Sequence, residues 1–182
     1  MKKLFSLVFF VLCFIESNAQ FQINEDFVIP SNEALFVGEN LIIATNKTLT
    51  CNGIIQATSN WTNNGIFVDT DNSLVKFSGS ILQQVNGNTT FSNLTINNSA
   101  NVNLGGGVFI RKVLNLQNGN LISNGNLKLL SDASNTAMVI NTNGTVTGNA
   151  TQQRYVDGTY NAVGYRYFSS PVQTTSINSV FA

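Results

Sequence analysis

From Leu35 onward, apolar residues come in short clusters that never lengthen into a helical stripe. The first are Leu35-Phe36-Val37, Leu41-Ile42-Ile43, Thr48-Leu49-Thr50, Ile54-Ile55, Ile66-Phe67-Val68 and Leu74-Val75-Lys76-Phe77. Ile81-Leu82, Leu94-Thr95-Ile96, Val102-Asn103-Leu104, Val108-Phe109-Ile110 and Val113-Leu114-Asn115-Leu116 follow. Leu121-Ile122, Leu127-Lys128-Leu129, Met138-Val139-Ile140 and Thr145-Val146-Thr147 complete the set. Each suits a short strand, and none keeps the i, i+3, i+4, i+7 spacing of an amphipathic helix. Between them stand turn formers such as Asn52-Gly53, Asn64-Gly65, Asn86-Gly87, Asn118-Gly119 and Asn143-Gly144. Asn and Gly accept positive φ, so the chain turns there at little cost.

Two all-β architectures produce this rhythm: an antiparallel β-sandwich of hairpins, and a parallel β-helix whose equivalent clusters stack coil on coil. The strands are short for a sandwich, and asparagine at turns can form amide ladders between stacked coils. The expected fold is therefore a right-handed parallel β-helix, a β-solenoid. With three clusters per coil it has about five coils and is about 24 Å long. The expected solenoid covers residues 20–150, with 20–34 as an N-terminal cap over the open sheet edges.

The first residues follow another pattern. Lys2 and Lys3 precede a nearly unbroken apolar stretch from Leu4 to Ile15, and Ser17 and Ala19 are small residues ahead of Gln20. This is the order of a secretory signal peptide, residues 1–19, cleaved between Ala19 and Gln20. The stretch is too short to span a bilayer. Val11 and Leu12 before Cys13 are too large for a lipoprotein cleavage site, so Cys13 reads as part of the leader. Cys51 is then the one cysteine of the mature chain, which must fold without an internal disulfide.

Composition narrows the chemistry. Charged residues are 10% of the chain, well below the usual quarter. Beyond the leader the charges nearly cancel, so neither nucleic acid nor an anionic membrane is an expected partner. Histidine is absent, which excludes Ser–His–Asp and Cys–His catalysis and imidazole metal sites. No cofactor is expected.

Several strings in order resemble large secreted or cell-surface proteins of the Bacteroidetes. They begin with Trp61-Thr62-Asn63-Asn64-Gly65-Ile66-Phe67, Val75-Lys76-Phe77-Ser78-Gly79-Ser80 and Phe91-Ser92-Asn93-Leu94-Thr95-Ile96. They continue with Asn118-Gly119-Asn120-Leu121, Gly148-Asn149-Ala150-Thr151-Gln152-Gln153-Arg154-Tyr155-Val156 and Tyr165-Arg166-Tyr167-Phe168-Ser169-Ser170-Pro171-Val172. The resemblance implies a β-helical, adhesin-like region that passes through export machinery. In such proteins a C-terminal type IX sorting domain often completes transport. None is visible before Ala182, so the chain is expected to be an N-terminal fragment. Residues 151–182, rich in Tyr and Arg, read as the start of a second, truncated β module.

Four candidate sites remain. Asp69 and Asp71 could offer two oxygens to calcium, though a full binding loop is missing. Arg111 and Lys112 could act as the base of a polysaccharide lyase on the same scaffold, or simply sit at a strand rim. Trp61 could stack on a sugar if exposed, or pack in the core. Thr48-Leu49-Thr50 and Thr145-Val146-Thr147 are too isolated for a flat ice-binding array, and read as ordinary strand threonines. The leading expectation is a secreted or surface-displayed structural and adhesion protein, presenting a rigid polar rod to glycans, cells or surfaces. A polysaccharide lyase or hydrolase is the alternative and an ice-binding solenoid the remote one.

Overall fold

The computed structural model describes residues 19–156 of the chain. Residues 1–18 of the expected leader, and the part of the expected second module from residue 157 on, lie outside them. The described residues form an all-β parallel solenoid of seven coils without a helix. Coil one holds β1 (Gln20–Ile23), β2 (Phe27–Ile29) and β3 (Ala34–Val37). Coil two holds β4 (Asn40–Ile43), β5 (Thr48–Cys51) and β6 (Ile54–Ala57). Coil three holds β7 (Trp61–Asn63), β8 (Ile66–Asp69) and β9 (Leu74–Phe77). Coils four and five have two strands each: β10 (Gln83–Asn86) with β11 (Thr89–Asn97), and β12 (Val102–Leu104) with β13 (Val108–Asn118). Coil six holds β14 (Leu121–Ile122), β15 (Leu127–Leu129) and β16 (Met138–Asn141), and coil seven β17 (Val146–Thr147) and β18 (Ala150–Gln152).

The coil number corrects the expected five. Residues 20–34 are not a separate cap. β1 and β2 pair in register with β4 and β5, so they belong to the first coil. Coils four and five also need fewer clusters, because β11 and β13 each run along two faces. Both bend at one register shift, between Phe91 and Asn93 of β11 and between Ile110 and Val113 of β13, instead of at a Gly-containing turn. Ile81-Leu82, read as a strand, is an exposed connection before β10. At about 4.8 Å per coil, six steps give a rod about 29 Å long.

Alternation within each strand sends one side chain in and the next out. Leu41, Trp61, Val85 and Leu104 occupy one register position and are all buried. On another face Ile55, Val75, Leu94 and Leu114 stack in the same way. The interior is thus a continuous apolar column that holds an aromatic cluster. Trp61 meets Phe67 at 5.2 Å, Phe91 at 5.6 Å and Phe77 at 6.2 Å between ring centroids, in edge-on arrangements. Tight coil packing explains some turn residues directly. A side chain on Gly53 would run into the carbonyl oxygens of Pro30 and Glu33.

Candidate functional site

Two features stand out on this scaffold. The first is a charged corner. Asp69 ends β8 at the register position of Ile29 and Cys51, an inward-facing column. The sheet β2-β5-β8 stops there, with no backbone ladder from β8 to β11 among the described residues. The Asp69 carboxylate bridges that seam. It accepts the backbone N–H of Ser92 at 2.5 Å and the Ser92 hydroxyl at 3.0 Å. From coil five, Arg111 Nη2 donates to the carboxylate and the Ser92 oxygen, and to the Asp69 carbonyl at 2.9 Å.

The Asp69 side chain is 3% exposed and that of Arg111 36%. Outside this pair, Lys112 Nζ lies 3.1 Å from an oxygen of Asp71, itself 4.0 Å from Arg111 Nη1. The structure therefore brings together all four charged residues singled out in the sequence, and adds Ser92. Its hydroxyl carried no distinguishing signal in the sequence, because the strand runs through the corner without a turn residue.

The arrangement engages the Asp69 carboxylate within the protein, where the sequence had offered it to calcium. Its oxygens point at Ser92 and at a guanidinium that already supplies the positive charge. Among the described residues no group of three or more Asp, Glu, Cys or His comes together. As chemistry the corner is self-neutralising: two cations face two carboxylates, Asp69 is withdrawn from solvent, and Asp71 is the most exposed of the four.

Trp61 is also placed differently from its sugar-stacking reading. It is 0% exposed, its faces are covered by phenylalanines, and its Nε1 donates to the Thr89 hydroxyl at 3.3 Å. Burial of so large a side chain leaves no face for a ligand. The threonine clusters do not build an array either. Thr50 pairs with Val28 and Val68, and Thr147 with Ile122.

The second feature is a column of amides on the seven-stranded face β1-β4-β7-β10-β12-β14-β17. In-register pairing puts Gln20 beside Asn40 and Gln84 beside Asn103. Asn60, just ahead of β7, lies between them. Asn40 Oδ1 accepts the Asn60 N–H at 3.2 Å and the Ser59 hydroxyl at 2.7 Å. Asn60 Oδ1 accepts the Gln84 N–H at 2.7 Å. Asn103 Nδ2 donates to Gln84 Oε1 at 2.7 Å, and Asn124 Nδ2 donates to Asn103 Oδ1 at 2.7 Å. No strand of this face carries an ionisable side chain. The signal was present in the sequence as amides recurring about every 20 residues, at 20, 40, 60, 84 and 103.

Elsewhere, a cavity of about 680 Å³ opens at the last coils, lined by Leu127, Leu129, Ala137, Val139, Val146 and Ala150. It is the end of the apolar column and gathers no reactive groups beyond Arg154. No protein-family model, curated protein or solved structure matches the chain, so the functional reading rests on this geometry.

Proposed function

We propose that this is a secreted or surface-displayed structural and adhesion protein, whose solenoid is a rigid neutral rod for contact with glycans, cells or surfaces. The observation that carries this reading is the seven-stranded face whose strands carry no ionisable side chain and which amides line from Asn40 in coil two to Asn124 in coil six. Such a face offers the same weak polar contact repeatedly, and repeated weak contacts sum by avidity. The leader at residues 1–19 supports an extracytoplasmic location, and its expected cleavage point falls where β1 begins at Gln20. The resemblance to surface proteins of the Bacteroidetes supports an adhesin-like role and type IX export. Cell fractionation with an antibody to residues 85–150 tests the proposal. Signal at the outer surface or in the medium is expected, and a cytoplasmic protein would overturn it.

The convergence of Asp69, Asp71, Arg111 and Lys112 favours a second reading, a lyase or hydrolase acting on acidic polysaccharide. Release of unsaturated uronates from polygalacturonate, abolished by Asp71→Asn or Lys112→Ala, would establish it in place of the first. Fold alone does not separate the two.

A further inference from the structure

The amide column has a fixed orientation, and that orientation leaves something over. A backbone N–H can only donate, so the atom it meets on a side-chain amide must be the oxygen. Asn60 N–H points at Asn40, and Gln84 N–H points at Asn60. Both side-chain oxygens therefore turn along the rod axis, toward the next coil. At the other end Asn124 donates to the carbonyl of Leu104 at 3.1 Å, so the atom it presents there is its nitrogen. The same nitrogen meets Asn103, whose accepting atom is then its oxygen, and Asn103 must use its nitrogen on Gln84. The amides of the column from Asn40 to Asn124 are thus set by a backbone group at one end or the other. The NH2 groups of Asn40, Asn60 and Gln84 are left with no protein acceptor among the described residues, on three successive coils of a half-buried face.

We infer that this row of amide donors is a binding site for a linear, neutral polysaccharide lying along the solenoid axis. The inference rests on the adhesion reading above and names its ligand class. Three properties of the face select that class. It is free of charge, so an anionic or cationic polymer gains no electrostatic attraction there. Its strands are laddered on both sides through coils two to six, so no open edge is available to a peptide strand. Its free groups are donors repeated at the coil spacing of about 4.8 Å, and a polysaccharide repeats hydroxyl and ring oxygens along a line at a similar interval. Beside the row, Ile42 and Thr62 pair in register and give a modest apolar strip for the face of a sugar ring.

The test exploits an isosteric change. Asn40→Asp with Gln84→Glu keeps the oxygen that each ladder bond uses and replaces the outward donor by an acceptor. The two sites lie two coils apart, which limits repulsion between the new charges. Binding of cellohexaose and of a linear mannan to the full chain is measured by calorimetry, with a polygalacturonate oligomer as the anionic comparison. Melting temperature serves as the check on folding. The expected result is binding to at least one neutral probe, and affinity about tenfold or more weaker in the double variant at unchanged melting.

Should the double variant melt early, Asn60→Asp alone replaces it, since it alters one outward donor and keeps the Gln84 bond. Undiminished binding in a folded variant would overturn the inference, as would preference for polygalacturonate. Absence of neutral-glycan binding, in a protein still found at the surface and still adhering to cells, would overturn this inference while leaving the adhesion reading intact. A cytoplasmic protein that nevertheless binds the neutral probes would do the reverse.

Discussion

Arg111 reaches back over coil four to Asp69 in coil three, and the Ser92 hydroxyl sits between them on the same carboxylate. The pair closes the one place where the second face loses its backbone ladder. A carboxylate at an inward position is costly unless its charge is matched and its lone pairs are used. Here both conditions hold through one guanidinium, one hydroxyl and one amide N–H.

Removing one partner should therefore cost more than removing both. Arg111→Met leaves a buried, uncompensated carboxylate and is expected to destabilise by about 3 kcal/mol. Arg111→Met with Asp69→Leu removes the charge as well and should recover most of that loss. Denaturant unfolding of the two variants checks the sign. Equal losses would mean the corner's stability comes from packing and not from the ion pair.

This corner also shows where the sequence is legible and where it is not. Short strands and Asn-Gly turns are enough to indicate a solenoid, because clusters such as Val102-Asn103-Leu104 and Leu127-Lys128-Leu129 alternate at the period of a strand and are too short to cross a sandwich. The coil count is harder, because it depends on where the chain turns. At Phe91-Ser92-Asn93 and Ile110-Arg111-Lys112 the turn is a bulge without glycine, so nothing in the sequence marks a corner. Coil one was also hidden, since Gln20–Ile23 and Phe27–Ile29 fall in the stretch expected as a cap, and only their pairing with β4 and β5 makes them a coil. The pairing of Asp69 with Arg111 spans 42 residues, so no local pattern announces it. The amide column differs: its spacing lies in the chain, but its meaning needs the register.

Trp61 supplies a test of the core. It is fully buried between Phe67, Phe77 and Phe91, and its removal would leave a cavity among rings that cannot close over it. Trp61→Ala is expected to cost about 3–5 kcal/mol, read by circular dichroism in denaturant. In the unaltered protein its fluorescence should resist acrylamide and stay unchanged on adding oligosaccharide. Quenching by a sugar would show that the ring is accessible after all.

Glycines separate turn geometry from mere small size. Gly119 has φ +79, and a side chain there would strike the Asn98 carbonyl of the coil before it. Gly119→Ala should cost about 1–3 kcal/mol through strain and displacement. Gly38 has open space where a side chain would point, so Gly38→Ala should stay within about 0.5 kcal/mol. Thermal melts of both test whether the coils approach one another as closely as the stacked ladder requires.

Cys51 gives a pH dependence with a definite sign. Burial pushes its thiol from 9.0 up to about 11, and the nearby Asp69 carboxylate adds to the shift. In the unfolded chain the thiol ionises near its ordinary value, whereas the folded chain keeps its proton. Between about pH 9 and 11 the unfolded state thus holds fewer protons, and stability falls as pH rises. At 1.36 kcal/mol per unit the full effect is about 2–3 kcal/mol. It is absent below pH 9, where both states are protonated. Cys51→Ala should remove this part of the alkaline slope. At pH 8 the native thiol should also resist iodoacetamide and react only on unfolding. Rapid labelling of the folded chain would place Cys51 at an exposed corner instead of in the apolar column between Ile29 and Asp69.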